Sequence, residues 1–220
     1  MPQNESVTLT PFTRQGHHVA GFLIMFLLLH FLSLKMDTNV IWPIFAFLSA
    51  VLHQGLVVVV WRAELFGSNI SRMFNAKGFY LYGILFFLLF LLRFISTVGA
   101  AIDASRTFYL PYVVLWPITG TIFIFFIWAQ VSVFTYFGVK RALGADHFYP
   151  EYRDIPFVRQ GIFKYTSNGM YAFGLLGFML PGLFFQSGMG LAVGLFHYLA
   201  VWLHYWATEL PDMKYIYRNR

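Results

Sequence analysis

Six apolar segments, each about as long as a bilayer is thick, constrain this chain more than any other feature. A helix needs about 20 mostly apolar residues to cross the hydrocarbon core, where the backbone has no water to bond. The fold class predicted from them is all-α, a polytopic membrane protein whose last two spans form a tight hairpin. The predicted spans cover residues 18–35, 39–61, 78–100, 110–137, 169–186 and 189–207.

Composition supports the membrane assignment. Hydrophobic residues make up 59% of the chain and charged residues 11%, against about 25% charged in soluble domains. The absence of cysteine excludes disulfides, thiolate metal sites and cysteine nucleophiles. The net charge is +6, and the basic residues are distributed as the predicted membrane topology requires. We therefore expect a lipid bilayer as partner and no nucleic acid.

The basic residues predict the orientation. Of the 15 Lys and Arg residues, Lys35 and Arg106 fall on one predicted side, Arg93 lies inside the third span, and the remaining twelve fall on the other side. Since cytoplasmic loops carry the excess of Lys and Arg, both termini should be cytoplasmic. The membrane would be a bacterial inner membrane or the endoplasmic reticulum. The twelve are Arg14, Arg62, Arg72, Lys77, Lys140, Arg141, Arg153, Arg159, Lys164, Lys214, Arg218 and Arg220.

This topology divides the chain into three parts. Residues 1–17 form a cytoplasmic tail, 18–137 a four-span scaffold, and 138–220 a loop, the hairpin and the C-terminal tail. The loop at 138–168 is rich in Phe and Tyr, which is unusual for a solvated segment and predicts a lid folded over the membrane face. Any chemistry is therefore expected at the cytoplasmic face.

Polar side chains inside predicted spans are costly and often functional. Taken singly, each could bond a neighbouring helix, and Arg93 could reach the headgroups or pair with Asp103. No HExxH motif, acidic pair or His cluster at ligand spacing occurs, so no metal is expected. The intramembrane set is His30, His53, Gln54, Arg93, Gln130, His197 and His204.

The sixth span is the strongest functional candidate. His197 and His204 fall on one helical stripe, and the neighbouring stripe ends in Glu209, just before a proline. An aromatic belt at the interface explains the nearby Trp and Tyr residues, but it does not explain a carboxylate there. Glu209 would pair well with an ammonium group of a substrate or cofactor.

Three stretches of the C-terminal part carry a recognisable pattern. Residues 136–138 read YFG, residues 161–174 read GIFKYTSNGMYAFG, and residues 208–218 read TELPDMKYIYR. Over residues 130–218 the chain resembles the membrane methyltransferases that include phosphatidylethanolamine N-methyltransferase and isoprenylcysteine carboxyl methyltransferase, with the tail closest to the phospholipid branch. It departs from the family pattern at Ser167, where Arg is usual, at Gly169, where Pro is usual, and at Leu210, which replaces a second acidic residue.

The resemblance implies S-adenosylmethionine as methyl donor, S-adenosylhomocysteine as product, and a membrane lipid as substrate. It implies a cofactor site in which Phe157, Val158 and Phe163 flank the adenosine and Glu209 holds the amino group. Further contacts are implied for Asn168, Gly169, Met170 and Tyr171, with His147 from the lid as a weaker candidate. His204 is the candidate base for an amine acceptor, and Tyr171 an orienting hydroxyl.

Three functions remain open at this point. The first is methylation of phosphatidylethanolamine towards phosphatidylcholine, in phospholipid biosynthesis. The second is methylation of another acceptor, such as a prenylated cysteine carboxylate or a small thiol. A carboxylate acceptor should recruit a cation, and Tyr205 stands where such an Arg would be expected. The third is a non-catalytic channel, transporter or assembly protein, for which broken helices or paired midplane charges would be expected.

Overall fold

A computed structural model describes residues 9–218, and these residues form helices and turns without a β-strand. Residues 1–8 of the predicted tail, and Asn219 and Arg220, lie outside the described residues. The helices are α1 (Gln15–Lys35), α2 (Ile41–Gly67), α3 (Asn69–Phe74), α4 (Lys77–Asp103), α5 (Tyr112–Ser132), α6 (Val139–Ala142), α7 (Ala145–Phe148), α8 (Pro150–Arg153), α9 (Gly169–Ala172), α10 (Leu180–Phe184), α11 (Gly188–His204) and α12 (Leu210–Ile216).

The first four predicted spans are confirmed as long apolar helices. Among the described residues, α1, α2, α4 and α5 with its extension to Phe137 are long and apolar enough to cross a membrane. The α5 extension, Val133–Phe137, is a π-helical turn. Large apolar side chains are exposed on the outer faces of these helices, among them Ile124 and Phe134, as expected where the surroundings are lipid.

The centre of the bundle is packed through small residues. Helix α11 lies between α1, α2 and α4, and Ala46, Ala50, Ala100 and Ala200 are fully buried where these helices meet. Small side chains let helix backbones approach closely, which favours association where no hydrophobic effect drives it. This packing fixes α11, and with it the polar residues of the sixth span.

The fifth predicted span is not one continuous helix. It is divided into α9, a 3₁₀ turn at Leu176–Met179 and α10, because Pro181 cannot continue the preceding hydrogen-bond ladder and glycine destabilises a helix interior. The backbone carbonyl of Gly174 accepts a hydrogen bond from Gln130 Nε2 at 3.1 Å. Gln130 thus satisfies a carbonyl group near the interruption, which a bilayer could not do.

The predicted hairpin forms in spite of this interruption. The hydroxyl of Ser187 accepts a hydrogen bond from the Gly190 amide at 3.0 Å and caps the start of α11. A Cβ atom on Gly182 would lie 2.5 Å from the Leu191 amide nitrogen, so only glycine permits this close approach. α11 is 17 residues long and continues through a π-helical turn, Tyr205–Glu209, into α12.

The loop at 138–168 folds against the bundle. Phe148 is buried and packs on Phe79 and Tyr82 of α4, with ring centroids 5.0 and 6.0 Å apart. Before α7 the chain turns at Gly144 with φ of 78°, and its backbone lies directly beneath the ring of Trp61. These contacts attach the predicted lid to the predicted cytoplasmic ends of α2 and α4.

Candidate active site

The two stretches that carry most of the family resemblance meet at one hydrogen bond. The hydroxyl of Tyr171, on α9, donates to Oε2 of Glu209 at the end of the π-helical turn. Asn168 is one turn away from Tyr171, and its carbonyl accepts the Tyr171 amide at 3.0 Å. The start of the hairpin and the C-terminal carboxylate therefore lie close enough to contact one small molecule.

Burial changes the acidity of this carboxylate. Glu209 lies just beyond the sixth predicted span and is half-buried. Loss of hydration raises the pKa of its carboxyl group to about 7, although the bond from Tyr171 acts in the opposite direction. An ammonium group placed beside Glu209 would compensate for the lost hydration, so the site suits a cationic ligand.

A cavity of about 180 Å³ adjoins Tyr171 inside the bundle. Its walls come from α2, α4, the end of α5, α6, α9 and α11, and they are mainly apolar. On its outer side, Phe87 of α4 and Phe134 beyond α5 are half or more exposed, so the cavity reaches the lipid-facing surface between these helices. The lining combines an apolar wall with a few polar groups, as is typical of a ligand site.

His204 lines this cavity beside Tyr171. Its side chain is buried, and neither ring nitrogen has a hydrogen-bond partner among the described residues. The rings of His18 and Trp61 lie 5.4 and 5.9 Å away, centroid to centroid. Because a buried imidazole normally bonds at least one neighbour, His204 is available to a ligand.

Arg93 occupies the inner end of the cavity, and its partners differ from those expected from the sequence. It neither reaches the interface nor pairs with Asp103, whose carboxylate instead accepts the Asn39 amide. The guanidinium is fully buried and donates to His197 Nδ1 at 3.1 Å, to the His197 carbonyl at 2.9 Å and to His53 Nδ1 at 3.3 Å. Three helices, α2, α4 and α11, thus converge on one buried cation.

An aromatic cluster adjoins the cavity on the side of the lid. Phe163 is buried and stacks on Phe137 at 5.1 Å. Arg141 lies over Phe137 and Phe157, 5.2 and 5.9 Å from the ring centroids, and its guanidinium donates to the Pro156 carbonyl at 3.0 Å. Phe157 itself is largely exposed. Val158 and Met170 pack against this cluster, and Met170 also lines the cavity.

His147 lies outside the cavity lining, in a buried network of charges. Its ring stacks on Trp61 at 4.2 Å and sits 3.3 Å from Asp146 and 3.3 Å from Asp212. Burial disfavours the imidazolium, but the two carboxylates outweigh it and raise the pKa of His147. Asp212 also forms an ion pair with Arg62 at 2.7 Å. This network joins α2, α7 and α12, so His147 connects the lid to the C-terminal helix.

One departure from the family pattern has a steric reason. Gly169 is the first residue of α9, a position that proline usually tolerates well. A Cβ atom there would lie 2.6 Å from the Cγ2 atom of Ile162. The buried Ile162 side chain takes the space that a proline ring would need.

The structure thus brings together most of the residues singled out from the sequence. Met170, Tyr171 and His204 line the cavity, and Tyr171 connects it to Glu209 and Asn168. Phe157, Val158 and Phe163 belong to the adjoining cluster. Sequence reasoning missed Arg141, which holds that cluster, and the convergence of His53, Gln54 and Arg93 on the cavity. Sequence reasoning allowed Asp103, ten positions along the chain, as a partner for Arg93, and the structure shows His53 and His197 instead.

The apolar helices identify an integral-membrane protein. Its bundle holds a cavity beside a half-buried acid and a histidine that has no hydrogen-bond partner among the described residues. A family model described as phospholipid methyltransferase matches residues 116–220. Residues 116–220 are therefore similar to the phospholipid methyltransferase family, which is consistent with the superfamily of membrane-embedded methyltransferases. No curated protein and no solved structure matches the chain.

Proposed function

We propose that the protein is an S-adenosylmethionine-dependent methyltransferase that methylates the amine of phosphatidylethanolamine at the cytoplasmic membrane face, towards phosphatidylcholine. The observation that carries this proposal is the bond between Tyr171 and Glu209. It joins the two stretches that resemble the family, and it places a carboxylate suited to a cation next to a cavity that reaches the lipid.

The residues present fit the cofactor. Glu209 would hold its amino group, since the described residues engage this carboxylate only through Tyr171. Asn168, Gly169 and Met170 would contact it at the start of α9, and Phe157, Val158 and Phe163 would flank its adenosine. When bound, S-adenosylmethionine supplies a methyl group on a positively charged sulfur. We assign His147 to fixing the lid, because its ring is engaged by Trp61 and two carboxylates.

The chain's own groups supply the remaining chemistry. An amine can accept a methyl group only through a free electron pair, so its ammonium form must lose a proton. His204 has two ring nitrogens without a partner among the described residues and would accept that proton. Tyr171 holds Glu209 in place, and the apolar lining excludes water, so that position and desolvation favour transfer.

Access for the two ligands follows from the shape of the site. The lipid would enter sideways between α4 and α5, past Phe87 and Phe134, which are 50% and 66% exposed. The polar cofactor would enter past Glu209 from the predicted cytoplasmic side. The cofactor thus never has to cross the hydrocarbon, and the lipid chains never have to leave it.

Transfer of a labelled methyl group tests this function. The purified protein is supplied with methyl-labelled S-adenosylmethionine and bilayers of phosphatidylethanolamine, and the lipids are extracted and separated. Label in the mono-, di- or trimethylated lipid is expected. Label in a prenylated cysteine peptide and none in lipid would assign the carboxylate acceptor instead.

Two variants locate the site. Glu209→Gln is expected to weaken cofactor binding, measured by calorimetry, by about 10- to 100-fold, the value of a hydrogen bond to a charged group. Glu151→Gln, at an exposed lid position, serves as the matched control and should bind like the parent. Equal cofactor binding by Glu209→Gln and the parent would refute the role assigned to Glu209.

A further inference from the structure

The buried guanidinium of Arg93 lacks a carboxylate partner. Its described contacts are His53, His197 and, at 5.5 to 6.0 Å, the rings of Phe90 and Phe178. No Asp or Glu among residues 9–218 forms an ion pair with it. A buried charge with no opposite charge is strongly unfavourable, and inside a membrane such a residue usually marks a ligand pathway.

The histidines around Arg93 are set as neutral rings. The Nε–H of Arg93 donates to Nδ1 of His197, so the proton of that ring lies on Nε2, which bonds Ser96 Oγ at 2.9 Å. His53 likewise accepts a hydrogen bond from Arg93 at Nδ1, at 3.3 Å, so its ring proton lies on Nε2. Neither histidine can neutralise the cation.

Unused donors accompany this cation at the cavity. His53 Nε2 and Gln54 Nε2 are buried without a hydrogen-bond partner among the described residues, and both side chains belong to the cavity lining together with Arg93. The other end of the Gln54 amide is engaged, because Oε1 lies 3.1 Å from His18 Nε2. The inner end of the cavity therefore offers positive charge and N–H groups, which match an oxyanion with several acceptor atoms.

We propose that Arg93, with His53 and Gln54, forms a subsite for the phosphate group of a membrane phospholipid. This subsite rests on the proposed function for the identity of the lipid. It adds which part of that lipid the inner end of the cavity binds. It also accounts for the cost of burying Arg93, because the ligand supplies the missing negative charge.

The spacing along α11 agrees with one headgroup reaching both ends of the cavity. His197, which contacts Arg93, precedes His204 by two helical turns, a rise of about 10 Å. This rise is on the scale of a phosphoethanolamine headgroup with a hydrogen bond of about 3 Å at each end, with the amine towards His204 and the phosphate towards Arg93.

Lipid binding without cofactor or turnover tests the subsite. The full chain in a non-ionic detergent is titrated with dioctanoyl phosphatidylethanolamine and, separately, with dioctanoylglycerol, which has the same chains and no phosphate. Binding is followed by fluorescence, since Trp61 lines the cavity. The parent protein is expected to prefer the phospholipid by at least about tenfold. Equal affinity for the two lipids would overturn the proposal.

Variants place that preference at Arg93. Arg93→Gln should bind both lipids equally, to within about threefold, whereas Arg159→Gln, which removes an exposed charge from the lid, should keep the preference. Because loss of Arg93 could disturb folding, a second pair leaves it in place. Phe90→Glu sets a carboxylate beside the guanidinium and should abolish the preference, whereas Phe90→Gln should retain it.

These outcomes separate the subsite from the enzymatic proposal. A phosphate preference that depends on Arg93, without any methyl transfer, would support the subsite and refute the proposed reaction. Methyl transfer to phosphatidylethanolamine with an Arg93→Gln variant that keeps the phosphate preference would refute the subsite alone.

Discussion

Replacing Asp212 with Asn should detach the C-terminal helix from the rest of the site. Asp212 is fully buried and accepts two contacts from Arg62, Nη2 at 2.7 Å and Nε at 3.1 Å, while His147 lies 3.3 Å away. Asn has the same shape but no charge. The substitution therefore leaves the Arg62 cation buried without a carboxylate partner among the described residues, bonded only to neutral oxygens such as the carbonyl of Thr10.

The size of the effect follows from this burial. Removing one member of a buried ion pair costs about 3–5 kcal/mol, because the remaining charge stays desolvated. Loss of the contact with His147 acts in the same direction. We expect a loss of about 3 kcal/mol, which for a chain of this length lowers Tm by roughly 6–12 °C.

Thermal unfolding in detergent, followed by near-ultraviolet circular dichroism, measures the change. Asp154→Asn, at an exposed lid position, is the matched control and should unfold like the parent. The double variant Arg62→Met/Asp212→Leu should recover most of the loss, since an apolar pair leaves no charge uncompensated. The reasoning is wrong if Asp212→Asn unfolds within about 1 kcal/mol of the parent, or if the double variant is no more stable than the single one.

Two further predictions concern the acid of the site and the turn of the lid. The pKa of Glu209 is raised to about 7, and a cationic ligand binds the ionised form of this carboxylate. The affinity for S-adenosylmethionine should therefore fall as the pH drops from 7.5 to 5.5, by up to about tenfold per pH unit. Calorimetry should show this decline in the parent and a flat profile in Glu209→Gln. Gly144→Ala should destabilise the protein by about 2 kcal/mol or more, because the added Cβ would lie 2.5 Å from the ring of Trp61 at a φ of 78°; an unchanged Tm would show that the lid does not depend on this turn.

Much of the candidate site could be predicted because its parts are marked locally. The stretches around Tyr171 and Glu209 stand out against an apolar background, and the three-residue connection between the last two spans brings their neighbouring regions together. In the structure Glu209 bonds Tyr171, whose amide in turn bonds the carbonyl of Asn168. The assignment of cofactor roles to these residues stays a prediction.

The interrupted fifth span shows where local reasoning was insufficient. Gly174, Gly177 and Pro181 are visible in the sequence, but the span predicted over residues 169–186 runs through them without a break. Whether they bend or break a membrane helix depends on what satisfies the freed backbone. Here Gln130 of α5 bonds the Gly174 carbonyl, and Gly177 packs so closely on Phe126 that a Cβ atom would lie 2.7 Å from its ring. Neither contact can be read from segment 169–186 alone.

The sequence by itself determined the membrane class, the all-helical fold and the positions of the long spans, because a bilayer requires about 20 apolar residues in succession and leaves the backbone no other choice. Only the tertiary structure decided the partners of the buried polar groups. Arg93 meets His53 across 40 positions and His197 across 104, and Arg62 meets Asp212 across 150. Such pairs are set by which helices pack together, and no spacing along the chain encodes that.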